Sequence, residues 1–450
     1  MTYPLPRLIG LLALLSLLPA CGASSSENEA PSYAEPTPPP GGGVSPSPSP
    51  SPPKDSGSGD PASSAPPPTG EGEGESPPPG QLTAGDWDDN LNFGVFQAWI
   101  AQPPTGFAPH PSADRVVITV RDEEGVAIPN ARVTVKSATG TRLEAPTATD
   151  GRLLFLPTFD GAGAGESFTV TVAPPPGQPG TAHTTAVEGS AWNLTLPGGR
   201  GVLPSALDVA FVVDTTGSMN DELSYLKAEL RGIVDSVRES FPQVSPRFAL
   251  VVYRDIGDEY VVRSFDFTDN LDTFRQQLAA QSSGGGGDMP EAMERGLGAI
   301  HQLSWRPGNA ARLTFLVADA PSHTAKHADF VREAHRARLA GIKVYPVAAS
   351  GTTPEAEYQL RIAAQLTLGR YLFLTDDSGI GNPHAEPHIP CYQVQLLKHL
   401  LTRALSSELE GRRVPARGTD VLRTVGSPRQ DGSCTLKDGT VTWLAGAGAR

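Results

Sequence analysis

Residues Arg115 to Val120 and Ala131 to Lys136 alternate apolar and polar positions, the period-two pattern of half-buried strands. Asp122-Glu123-Glu124-Gly125 and Pro129-Asn130 supply turn chemistry between them. Thr149-Asp150-Gly151-Arg152 then turns into Leu153 to Leu156, and Phe168 to Val172 reads as a further strand. The pattern predicts an antiparallel β-sandwich over residues 81–200. Just inside that span, Asp86, Asp88 and Asp89 stand close together, but their spacing fits no calcium loop with a closing bidentate Glu. Trp87, Phe93, Phe96 and Trp99 around them are expected to pack onto the sandwich as a capping segment.

From Leu203 the period changes. Leu207 to Val213 is an almost continuous apolar run of the kind buried on both faces of a parallel sheet, and it stops at Asp214. Leu223, Leu226, Leu230, Ile233, Val237 and Phe241 recur at three- and four-residue steps, which lays one apolar helix stripe against that sheet. Strands over 248–253, 313–318, 343–347 and 371–375 then alternate with helices over 271–281, 291–303, 324–340, 354–365 and 392–410. Such alternation predicts a doubly wound, Rossmann-like α/β domain that binds ligands beyond the carboxyl ends of its strands. Residues 412–450 carry a β-like tail.

The first eighty residues follow neither pattern. Arg7 followed by the apolar run Leu8 to Leu18 has the length of a secretory h-region, too short to span a bilayer. Gly22 to Gly80 holds 17 of the chain's 45 prolines and a single aromatic residue, Tyr33. That composition cannot bury enough surface to order itself, so residues 21–80 read as a disordered, semi-rigid tether. Lys and Arg number 35 against 49 Asp and Glu, a net charge of −14, which argues against a nucleic-acid partner. Leu18-Pro19-Ala20-Cys21-Gly22 resembles a bacterial lipobox, which implies that residues 1–20 are a lipoprotein signal peptide and that Cys21 carries the lipid anchor. Gly22 after the cysteine implies sorting to the outer membrane. Two thiols then remain, and an oxidising compartment favours a Cys391–Cys434 bond over two free buried thiols. The segment from Val120 to Leu153 is similar to carboxypeptidase regulatory-like and related Ig-like modules, which serve as spacers or interaction surfaces.

The candidate chemistry lies at the predicted strand ends. Asp214-Thr215-Thr216-Gly217-Ser218 offers a carboxylate and two hydroxyls at two-residue steps, and Asp319 closes the strand over 313–318. Oxygen donors of this kind suit Mg²⁺, Mn²⁺ or Ca²⁺. At these residues the chain resembles the von Willebrand factor A (VWA) family over 203–411. The resemblance implies a metal-ion-dependent adhesion site (MIDAS) in which one divalent cation is held by Asp214, Thr216, Ser218 and Asp319. Family sites usually draw a Thr from the middle loop, whereas this chain has Asp288 after a Gly-rich stretch. Asp288 is therefore expected at the metal, as a ligand or just behind one, and its charge weakens attraction for an acidic ligand.

Three hydrolytic or nucleotide readings fail. Ser322, His323 and Asp319 lack a nucleophile elbow, His323, His327 and His335 lack the zinc-protease pattern and read as surface residues, and Gly284 to Gly287 is not followed by Lys-Ser/Thr. The expected protein is a non-enzymatic cell-surface lipoprotein that binds a protein ligand. A structural envelope scaffold with a vestigial metal site, or an accessory subunit presenting substrate to a separate enzyme, are the alternatives.

Overall fold

A computed structural model describes residues 80–447 apart from Asp288, Ser350, Gly381, Asn382, Ala385 and Glu386. The signal, lipid-anchor and tether assignments, Cys21 among them, and the metal role of Asp288 lie outside the described residues. The described residues fall within one compact unit, Glu71–Arg450.

The chain enters through β1 (Thr83–Trp87) and α1 (Phe93–Ile100). Strands β2 (Val116–Arg121), β3 (Arg132–Ser137), β4 (Gly140–Pro146), β5 (Arg152–Phe155), β6 (Phe168–Ala173), β7 (His183–Val187) and β8 (Ala191–Thr195) follow. The α/β part comprises β9 (Ala206–Asp214), α2 (Leu223–Ser240), β10 (Ser245–Tyr253), β11 (Val262–Thr268), α3 (Leu271–Ala279), α4 (Met293–Ala299), β12 (Ala310–Ala318) and α5 (His327–Leu339). It continues with β13 (Lys343–Ala348), α6 (Pro354–Thr367), β14 (Tyr371–Thr375), β15 (Tyr392–Leu396), α7 (Leu397–Leu409) and β16 (Val421–Val425), before the short pair β17 (Ser433–Thr435) and β18 (Val441–Trp443).

One nine-stranded sheet, ordered β11-β10-β9-β12-β13-β14-β1-β15-β16, organises the molecule. Its centre, β10-β9-β12-β13-β14, is parallel, as the apolar runs require. Alternate side chains of β9 feed opposite cores: Ala210 and Val212 pack with α1, α4, α5 and α6, while Val209, Phe211 and Val213 pack with α2, α3 and α7. The chain leaves β9 toward β10 on one side and β12 lies on the other, so the strand order reverses at β9. Loops on either side of such a point diverge and leave a crevice.

Two expectations are corrected here. Residues 83–100 do not cap the small sheets: β1 runs antiparallel between β14 and β15, and Trp87 and Phe96 are fully buried in the large core, with Trp99 against Tyr358. The three neighbouring carboxylates explain why. Asp86 pairs with Arg403 and Arg370, Asp88 with Arg413, and Asp89 grips Arg361 through two bonds of 3.0 and 2.6 Å. Their partners are arginines more than 250 residues away, which local spacing cannot reveal. Secondly, Tyr392-Gln393-Val394-Gln395-Leu396 is the strand β15, and the helix begins only at Leu397. Its period-two alternation is too short to outweigh the helical pattern behind it, and pairing with both β1 and β16 decides the outcome. The sheet thus runs past residue 411 to β16.

The remaining strands form a three-stranded sheet, β5-β2-β8, and a four-stranded sheet, β4-β3-β6-β7, which share a core that includes Ile118, Val133, Val135, Phe155, Val170 and Trp192. Cys391 and Cys434 are joined by a disulfide that ties the entry of β15 to β17.

Candidate metal centre

Asp214 ends β9 because the chain must leave the sheet there, and its first loop closes on itself. Asp214 Oδ1 accepts from the Thr216 backbone N–H at 2.9 Å and from the Thr216 hydroxyl at 2.7 Å. The Thr216 and Ser218 hydroxyls are 3.2 Å apart. The second loop is zipped to the first: Gly284 N–H donates to Thr215 O, and Gly217 N–H donates to Gly285 O, both at 3.0 Å. The third loop, after β12, brings Asp319, and Glu291 N–H ties the second loop to it by donating to Pro321 O at 2.9 Å.

Electrostatics locate Asp319 beside Asp214. Burial and the Asp319 charge push the Asp214 carboxyl up to about 7. The Tyr253 phenol below is held well above its ordinary value by burial and by the same two charges. It lies near Asp214 without completing a hydrogen bond, and the buried Asp214 Oδ2 has no partner. Asp214 and Thr216 are fully buried and Ser218 is exposed, so the array opens to solvent on one side.

A carboxylate that the sequence reading missed completes the set. Glu291 is 2% exposed, its Oε2 has no hydrogen-bond partner, and burial together with Asp214, Asp255 and Asp319 raises its carboxyl to about 9. Gly286, at φ +61°, allows the approach: a Cβ there would sit 2.9 Å from Glu291 Oε1 and 3.2 Å from Thr216 Cβ. The available signal was a Glu following Pro290 at the end of a Gly-rich loop, which reads as an ordinary acid in a helix's first turn.

Like charges crowded in a desolvated crevice, with orphaned oxygens, are the electrostatic complement of a hard cation. The donor set of Asp214, Thr216, Ser218, Asp319 and Glu291 fits one. Among the described residues no group of three or more His, Cys, Asp or Glu side chains is arranged to hold a metal by itself, so this centre depends on the Thr216 and Ser218 hydroxyls beside its carboxylates. The structure therefore brings four of the five sequence-predicted site residues to one crevice.

Residues 208–376 match the von Willebrand factor A domain family. The chain carries a VWA domain. Curated relatives include an alpha-protein kinase, vwkA, of Dictyostelium discoideum, 27% identical over 27% of this chain and 19% of its own. Human von Willebrand factor A domain-containing protein 7 is 38% identical over 19% of this chain and 9% of its own. The chain thus spans less than a fifth of the length of these relatives. Among solved structures it is similar to BatB of Bacteroides thetaiotaomicron, with 12% identity, TM-score 0.33 and coverage of 46% of this chain and 98% of that one. It is also similar to proximal thread matrix protein 1 of the mussel byssus with a zinc-occupied MIDAS motif, with 17% identity, TM-score 0.30 and coverage of 36% and 40%.

Of the three histidines read as surface residues, His323 and His335 are partly exposed and His327 is not. His327 is buried against Phe107 and Tyr358, His335 stacks edge-on against Phe159, and His323 lies 2.8 Å from Asp255. The Ser322 hydroxyl is buried and accepts from Gln359 at 2.6 Å.

Proposed function

We propose that the protein is a cell-envelope lipoprotein, anchored through Cys21, whose VWA domain binds a protein ligand through one divalent cation. The observation that carries this reading is the partnerless Asp214 Oδ2, buried beside Asp319 and next to two hydroxyls aimed at one opening. Asp214, Thr216, Ser218 and Asp319 hold the ion, with Glu291 and the Asp288 of the same loop as the further carboxylates. The ion supplies an electrophilic centre to which a ligand's oxygen docks; the protein's own groups fix its position and screen it from bulk water. Two small sheets act as a spacer of the carboxypeptidase regulatory-like kind. In this reading the protein binds its ligand and carries out no catalysis of its own.

Calorimetric titration of the full chain with Mn²⁺, Mg²⁺ and Ca²⁺ tests the site. One ion bound per chain, lost in Asp214→Asn, is the expected result, and no binding of any of the three ends the reading. For the anchor, Cys21→Ser should move the protein from the membrane fraction to the soluble one.

A further inference from the structure

The rim around this centre differs from its floor. Two loops meet at Gly286: the segment after β10, whose Asp258 carboxylate accepts the Gly286 N–H at 3.0 and 3.1 Å, and the Gly-rich segment that leads to Glu291. Each presents one large apolar side chain to solvent, Ile256 at 58% and Met289 at 46% exposure. An isolated exposed aliphatic is ordinary, but two on loops joined by the Asp258–Gly286 bond, beside a candidate ligand-binding centre, are both open to one incoming partner.

Charge narrows the partner further. The rim carboxylates are Asp255, Asp258 and Glu259. Facing them are His323, held by Asp255, and Arg254 and Arg263, both paired with Glu259. Arg254 is already committed to the Thr215 and Ser282 carbonyls. Asp214, Asp319 and Glu291 lie beneath. A single dication leaves this surface negative, on a chain whose net charge is −14. A carboxylate arriving at the ion would meet net repulsion.

We infer that the surface binds a basic, aliphatic protein segment: one that offers the ion a neutral oxygen from a hydroxyl, amide or backbone carbonyl, sets Leu, Ile or Met side chains against Ile256 and Met289, and places Lys or Arg over Asp255 and Asp258. The inference rests on the cation-dependent reading above and specifies its ligand.

The test pans a random dodecapeptide display library on the full chain in Mn²⁺ and elutes with chelator. Chelator-eluted peptides should be enriched in Lys and Arg with large aliphatics and depleted in Asp and Glu. The double substitution Ile256→Ser, Met289→Ser should weaken the best synthetic peptide about tenfold or more, as loss of two apolar contacts implies. Its Mn²⁺ affinity should stay at the wild-type value. Acidic consensus peptides, no chelator-dependent enrichment, or full peptide affinity in the double variant would each overturn the inference while Mn²⁺ still binds. Absence of Mn²⁺ binding in calorimetry would instead remove the underlying reading, and this inference with it.

Discussion

An ionised Asp214 is poorly accommodated in the metal-free fold. Burial and Asp319 raise its carboxyl to about 7, so in the absence of an ion the charged form costs free energy that the unfolded chain does not pay. The folded state holds a proton that the unfolded state has released, so this cost grows as pH rises from about 4 toward 7. Asp214→Asn removes it, and in chelator at pH 8 the variant should be more stable than wild type by about 4 kcal/mol. Urea unfolding with and without Mn²⁺ checks both halves: wild type should gain from the ion and the variant should not. Glu291→Gln tests the residue that sequence missed, with the same sign in chelator and a weakened ion affinity. Unchanged ion affinity would remove Glu291 from the site. Asp214, Thr216 and Ser218 were legible because they sit within five residues at a strand end. Glu291 was hidden because its role depends on where a Gly-rich loop folds back, and that is set by backbone bonds to Thr215, Gly217 and Pro321.

At the scale of elements, β1 is the piece with the largest leverage. It pairs along its whole length with β14, from Thr83 opposite Thr375 to Trp87 opposite Tyr371, and it separates β14 from β15. The carboxylate of Glu229 on α2 accepts from the N–H groups of Gly80, Gln81 and Leu82, fixing where the strand enters. A fragment that starts at Leu203 leaves a gap in the sheet's interior and strips Arg361, Arg370 and Arg403 of their aspartates. It should be insoluble, and a soluble fragment with full Mn²⁺ binding would show that β1 is dispensable. Asp89→Ala is the graded version. Arg361 is fully buried and would keep only Glu357, so about 3–5 kcal/mol of stability should be lost. The sequence marked the strands of the parallel centre well because each carries its own apolar run. It could not assign β1 or β15 to this sheet, since Thr83–Trp87 is polar and glycine-containing and draws its burial entirely from neighbours distant in the chain.

A second element-scale device ties the segment after β14 to α2. His384 Nδ1 lies 2.8 Å from Asp376 Oδ1 and its Nε2 2.9 Å from Glu222 Oε1 just ahead of α2, so the charged ring donates to both carboxylates. Burial alone would lower its pKa, but the two carboxylates outweigh burial and raise it above 6.5. A histidine with a raised folded pKa contributes stability that is complete below the unfolded value and is lost as pH climbs through the folded one. The difference in unfolding free energy between wild type and His384→Gln should therefore be largest near pH 6 and shrink by pH 8. A difference that stays flat over that interval would mean that the imidazole is not charged in the fold.

Across the whole molecule, the small sheets and the large one share side chains. Leu153 and Phe155 of β5 face the small core, whereas Leu154 packs in the large core with Leu156 just beyond the strand. Arg338 of α5 pairs with Asp160, Arg312 reaches Asn130 at 2.9 Å, and the Thr149 hydroxyl donates to Glu408 near the end of α7 at 2.5 Å. Glu408 in turn takes Lys343 and Tyr345 of β13. Sequence read these parts as separate domains because each obeys its own periodicity, but periodicity reports local structure and says nothing of shared burial. With a core strand serving both sides, neither part can open widely without exposing apolar surface in the other. Ion binding at one edge of the large sheet should then stabilise the small sheets too. At a free ion concentration one hundred times Kd, the gain is about 2.7 kcal/mol for any segment that exchanges only through global unfolding. Native-state hydrogen exchange of the Arg132–Ser137 amides, far from the metal centre, should slow by the same factor as those of Ala206–Asp214 when Mn²⁺ is added. If β3 keeps its metal-free exchange rate while β9 is protected, the small sheets unfold independently, and the shared strand does not couple them.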